Sequence, residues 1–188
     1  MNTYIALFRG INVGGKNILP MKELVSILET LGYENVKTYI QSGNVVFQSA
    51  RKQDDDDADE IGKSISSKMG FEPMVMLLSY KQLQTAVQDN PFPTEVGKAL
   101  HFFFLKSQPK QPNLKKLEVL KLESEEFKLM GNVLYLYAPD GVGTNWTGIV
   151  KRVHKNSSSA ENYLWSLAKK SVEVIHQDKL DRHSKKSA

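Results

Sequence analysis

The chain has 188 residues, 40% of them hydrophobic and 24% charged, with a formal net charge of +4 and no cysteine. This apolar content excludes a disordered chain, and the length holds a packed core in one domain or two small ones. The missing cysteines exclude disulfides, thiol catalysis, Cys-type zinc sites and iron–sulfur clusters, and they fit a reducing compartment.

Met1-Asn2-Thr3-Tyr4-Ile5 has neither the basic nor the long apolar region of a secretory signal. No window nears the ~20 apolar residues of a membrane span. The expectation is a cytoplasmic protein with no membrane partner. Tyr4 to Phe8 is a continuous apolar run of strand length, followed by a Gly-rich loop from Arg9 to Asn17. Pro20 suits a first helical turn, Met21, Leu24, Leu28 and Leu31 recur at helical spacing, and Gly32 takes the position after the C-cap. Val36 to Gln41 and Val45 to Gln48 read as strands around the hairpin signal Ser42-Gly43-Asn44.

The acidic run Asp54 to Glu60 lacks the spaced, turn-borne carboxylates of a calcium loop. It suits a helix N-terminus, where the backbone dipole favours anions. Ile61, Ile65 and Met69 then mark a buried face, Gly70 closes the helix, and Pro73 to Leu78 is a strand. The order so far is β-α-β-β-α-β, that of a ferredoxin-like unit. Ser79-x-x-Gln82 is a capping box opening a helix that Asn90-Pro91-Phe92-Pro93 ends.

A second series follows: a strand from Ala99 to Lys106, a helix carrying Leu114, Leu117 and Leu120, and strands at Phe127 to Leu129 and Val133 to Tyr137. Gly43-Asn44-Val45-Val46-Phe47 is matched by Gly131-Asn132-Val133-Leu134-Tyr135, so the halves read as a repeat. Ser158-x-x-Glu161 caps a final helix whose face includes Leu164, Leu167, Ala168 and Ile175. The expected fold is α+β, with two ferredoxin-like halves at 1–90 and 91–178. Each is an antiparallel sheet with helices on one face. The second half carries the extra final helix, and 179–188 forms a flexible tail.

Residues 1–94 hold 9 of the 25 Lys and Arg and 11 of the 21 Asp and Glu, so the basic excess lies in the second half. It opens one function class, a nucleic-acid or protein-binding adaptor. The more specific signal lies in the first half. Gly10-x-x-x-x-Gly15-Lys16 fits seven positions of a phosphate-binding P-loop. It departs from that motif in having Asn17 where a magnesium-binding hydroxyl belongs, and in having Ile18-Leu19-Pro20 between the lysine and the helix. No downstream strand supplies the metal-holding Asp.

A looser anion-binding loop remains. Arg9, Asn12, Lys16 and Asn17 supply donors, and Gly14 and Gly15 let a ligand approach the backbone. The structural alternative is a long connection whose glycines serve positive φ. If strands one and three are neighbours, this loop meets the hairpin bearing Gln41, Ser42 and Asn44, forming a polar cluster at one sheet end. His101, His154, His176 and His183 form no ligand or catalytic set, and Tyr135, Tyr137, Trp146 and Trp165 read as packing rather than base-stacking residues. The residues name no cofactor and no metal, and leave open whether the chain is an enzyme. The expected partner is a small anionic or nucleotide-like ligand, with nucleic acid as an open alternative.

Ala6-Leu7-Phe8-Arg9-Gly10-Ile11-Asn12-Val13-Gly14-Gly15-Lys16-Asn17, Pro20-Met21-x-Glu23-Leu24 and Thr38-Tyr39-Ile40-Gln41-Ser42-Gly43-Asn44-Val45-Val46-Phe47 resemble the bacterial family called domain of unknown function 1697. Asn90-Pro91-Phe92-Pro93 and Pro139-Asp140-Gly141-Val142-Gly143 are similar to that family as well. The resemblance implies a cytosolic chain of paired ferredoxin-like units. It implies motif positions at Arg9, Asn12, Gly14, Gly15, Lys16, Asn17, Gln41, Ser42, Gly43 and Asn44. The chain departs from the family pattern at Thr144 to Thr147 and at Ser159 to Tyr163, where two basic positions are lost.

Overall fold

The computed structural model describes residues 1–39, 43–95 and 99–141, and the backbone of 164–168. The chain divides into two compact units, Met1–Thr85 and Ala86–Ala188. The fold is mixed α+β, with two four-stranded antiparallel sheets and helices packed on one face of each, consistent with a ferredoxin-like arrangement.

The first unit runs β1 (Asn2–Arg9), α1 (Met21–Thr30), β2 (Glu34–Tyr39), β3 (Asn44–Ser49), α2 (Asp55–Met69), β4 (Met74–Ser79) and the start of α3 (Tyr80–Gln88). Its sheet order is β2-β3-β1-β4. The expected neighbours pair: Asn2 lies opposite Ser49 and Ala6 opposite Val45. On the helix side, Tyr4, Ala6, Phe8, Val45 and Phe47 pack against Leu24, Ile27 and Leu28 of α1 and Ile61 and Ile65 of α2. The other face carries Ile5, Leu7, Val46 and Leu78, also buried. Both faces are thus withdrawn from water, which explains continuous apolar strands rather than alternating ones.

Helix ends follow the local chemistry. Gly32, at φ 83°, completes a Schellman motif in which the Tyr33 N–H donates to the Leu28 carbonyl at 3.1 Å. Asp54 caps α2. Its side chain accepts from the Asp56 and Asp57 amides, while the Asp57 carboxylate accepts from the Asp54 N–H at 2.8 Å. The acidic run is therefore a capping box, as the dipole argument predicts. Asp57 is buried and also ion-paired to the exposed Arg51 at 2.5 Å. At α3 the Gln82 N–H donates to Ser79 Oγ at 3.2 Å, and the Ser79 N–H donates to Gln82 Oε1 at 2.7 Å.

The second unit contains β5 (Leu100–Leu105), α4 (Leu114–Leu120), β6 (Glu126–Met130), β7 (Val133–Tyr137) and β8 (Leu164–Ala168). Its sheet order is β6-β7-β5-β8, the same pattern as the first. One expectation is corrected here. Leu164, Leu167 and Ala168 were expected on a helix and instead form β8, with His101 opposite Ala168 and Leu105 opposite Leu164. The i, i+3, i+4 spacing fits a helix face, but the free edge of β5 needs a backbone partner, and an apolar run of strand length supplies it. The rest of the expected helix, including Ile175, and the expected tail lie outside the described residues.

Phe47 packs on the helix side of its sheet, whereas the matching Tyr135 lies on the face away from Leu117, Leu134 and Leu136. The five-residue match is thus out of phase with the strand period of two, and the repeat resides in element order rather than side-chain direction.

Candidate functional site

The Gly-rich loop is a small hairpin held at both ends. Ile11 and Leu19 are buried in the core of the first unit, and residues 13 to 18 between them are exposed. Val13 and Lys16 form an isolated antiparallel bridge, and the Lys16 N–H donates to the Val13 carbonyl at 3.1 Å. The two residues between them, Gly14 and Gly15, have φ of 58° and 72°. Positive φ at both central positions is the signature of a type I′ turn, whose twist suits a tight two-strand ribbon.

The asparagines brace this ribbon. Asn12, at φ 52°, accepts from the Leu19 N–H at 2.8 Å and donates to the Leu19 carbonyl at 3.0 Å. Asn17, at φ 51°, donates to the Gly10 carbonyl at 2.8 Å, and its own carbonyl accepts from the Asn12 N–H at 3.1 Å. Asparagine tolerates the left-handed region because its short amide bonds locally.

What the tip leaves available is different. The Gly14 and Gly15 amides make no hydrogen bond among the described residues, and a Cβ at either position would meet nothing within 4 Å. Lys16 is exposed and forms no ion pair among the described residues. Arg9 ends β1 opposite Met74 and is half-buried.

The loop meets the following hairpin at Gly43. With φ 82°, Gly43 sits against the Ile11 side chain and Phe8, and a Cβ there would overlap Ile11 Cδ1. Asn44 follows as a buried residue opposite Tyr39. Gln41 and Ser42 lie outside the described residues. Among the described residues, the candidate site residues thus lie at Arg9, the braced ribbon and Asn44, which follows Gly43.

The opposite end of the sheet holds a cleft of about 520 Å³, lined by Tyr4, Lys52, Gln53, Asp54, Asp55, Asp56, Leu77, Ser79 and Gln82. Five residue steps along β1 separate Tyr4 from Arg9, roughly 17 Å at 3.3 Å each. The sequence signals here, an acidic run and a capping box, read only as helix starts. What they hide is topological: the βαββαβ order brings the N-termini of α2 and α3 to one sheet end. Each N-terminus is occupied by its own cap. Gln53 Oε1 is buried without a partner and is closed to solvent.

Charge in the first unit is segregated between these ends. Residues 1–22 contain Arg9, Lys16 and Lys22 and no Asp or Glu, and α2 ends near Lys68, which pairs with Glu23 at 2.6 Å. The cleft end collects Asp54 to Asp57. Among the described residues no group of three or more His, Cys, Asp or Glu could hold a metal ion, and no helix is long and apolar enough to cross a membrane.

Comparison with known proteins agrees with this architecture. The chain resembles the structure of conserved bacterial protein SP0830 from Streptococcus pneumoniae with a TM-score of 0.64 and 22% identity, over 94% of this chain and 97% of that one. No curated protein matches it. Residues 1–135, which contain the braced loop and the whole first sheet, match the family described as "Protein of unknown function (DUF1697)". The chain belongs to the DUF1697 family.

Proposed function

We propose that the chain binds a small anionic or nucleotide-like ligand at the Arg9–Asn17 loop. One observation carries this reading. Five positive-φ residues (Gly10, Asn12, Gly14, Gly15 and Asn17) and three asparagine side-chain bonds fix the tip, yet among the described residues the two glycine amides and Lys16 stay uncommitted. Preorganised N–H donors beside an unpaired cation, with no side chain in the way, are what an anion requires. In this reading Lys16 and Arg9 neutralise the ligand, the Gly14 and Gly15 amides orient it, and Asn12 and Asn17 act by holding the tip. Gln41, Ser42 and Asn44 would complete the site from the neighbouring hairpin.

Thermal unfolding in the presence of inorganic phosphate, pyrophosphate and nucleoside phosphates tests it. Ligand bound at 100 times its Kd stabilises by about 2.7 kcal/mol. The parent should gain melting temperature with at least one of these anions, and Lys16→Ala and Arg9→Ala should lose that gain. Equal gains in parent and variants would place the site elsewhere.

We also infer that both halves, 1–90 and 91–178, are ferredoxin-like units. The shared sheet order and the equivalent places of β3 and β7 support this.

A further inference from the structure

Building on the anion-binding reading, we propose that the anion is the phosphate backbone of a nucleic-acid strand, engaged by Asn12–Asn17 as a projecting finger. The shape of the loop argues for a large partner. Small-molecule sites are concave, whereas this tip is anchored by Ile11 and Leu19 and exposed from Val13 to Ile18. A partner must supply the concavity. A two-stranded ribbon turned through Gly14-Gly15 is narrow enough to enter a nucleic-acid groove.

The surface chemistry points the same way. Val13 is 68% exposed and Ile18 56%, two branched apolar side chains beside a lysine. A free phosphate makes no use of them, while base faces and methyl groups do. Lys16 and the open Gly14 and Gly15 amides serve the phosphates. The absence of any carboxylate from residues 1–22, with the acidic run at the far sheet end, directs a polyanion to this end.

The test is fluorescence anisotropy of the full chain with short labelled single-stranded RNA, single-stranded DNA and duplex DNA. Binding at low salt on the order of 10⁻⁶ M is expected, with a log–log salt slope of roughly −2 for contacts by Arg9 and Lys16. Lys16→Glu should weaken binding about tenfold or more and flatten the slope. The double variant Val13→Ser, Ile18→Ser should weaken it severalfold and leave the slope unchanged. Both variants should melt close to the parent because these side chains are exposed. Binding that ignores all three substitutions would lie elsewhere and overturn the proposal. Stabilisation by nucleoside phosphates through Lys16, with oligonucleotides binding no tighter, would overturn it and leave the small-ligand reading standing. No response to either kind of phosphate would remove both. Self-association that Val13→Ser abolishes would assign the tip to a protein face, and would equally overturn it.

Discussion

Gly43 and Gly14 are both glycines at positive φ, for different reasons. At Gly43 a side chain would strain the backbone and also strike Ile11 and Phe8. Gly43→Ala should cost about 2–4 kcal/mol, summing left-handed strain and overpacking, measured by urea unfolding. At Gly14 the space is open and only the turn restricts the residue. Gly14→Asn preserves a type I′ sequence, Asn-Gly, and should leave stability within about 0.5 kcal/mol. Because it adds a side chain at the proposed contact point, it should still reduce anion binding.

Two buried tyrosines separate in the same way. Tyr33 packs on Phe47 at 4.4 Å, and its hydroxyl is buried without a hydrogen bond among the described residues. Burial, reinforced by Asp57, pushes this phenol from 10 to about 12. The unfolded phenol ionises near 10, so its contribution to folding is complete below pH 10 and fades as pH rises to 12. The loss is about 2–3 kcal/mol. Tyr33→Phe should remove that part of the alkaline loss and be neutral or stabilising at pH 7, since it deletes an unsatisfied group. The Tyr135 hydroxyl instead donates to the Ala86 carbonyl at 2.9 Å, so Tyr135→Phe should cost about 1 kcal/mol.

At the scale of elements, α2 shows a sequence signal with a complete local explanation. Asp54 and Asp57 exchange bonds with each other's backbone, so Asp54→Ala should cost about 1 kcal/mol by the same unfolding assay. Elements of this kind were legible in advance because caps and periodicity are local. The strand β8 was not, because Leu164 to Ala168 satisfies either period, and the deciding term is the unpaired edge of β5 far away in sequence. The five-residue match carries element order and not side-chain direction, for a related reason. Both β3 and β7 are buried on both faces, so an apolar run carries no record of which face meets the helices. The Gly-rich loop lies between these cases. Its glycines announced positive φ, but the use of Asn12 and Asn17 as braces depends on Leu19 and Gly10, seven residues away.

Across the molecule, the basic excess of the second half is the feature that composition shows most readily, yet the proposed anion-binding loop sits in the half whose net charge is slightly negative. Segregation resolves this. The first unit keeps its acidic run at the N-terminus of α2 and Lys16, which has no ion pair among the described residues, at the opposite sheet end, a full strand length away. The sheet acts as a spacer that holds the loop tip clear of the acidic run at Asp54 to Asp57.

Amide chemical-shift mapping of the isotope-labelled full chain tests most directly whether this tip receives an anion. Titration with pyrophosphate or a nucleoside diphosphate should shift the Gly14, Gly15 and Lys16 amides first and furthest, and Lys16→Ala should suppress those shifts. Shifts centred on residues 52 to 56, on β5 to β7, or on no segment at all would contradict it.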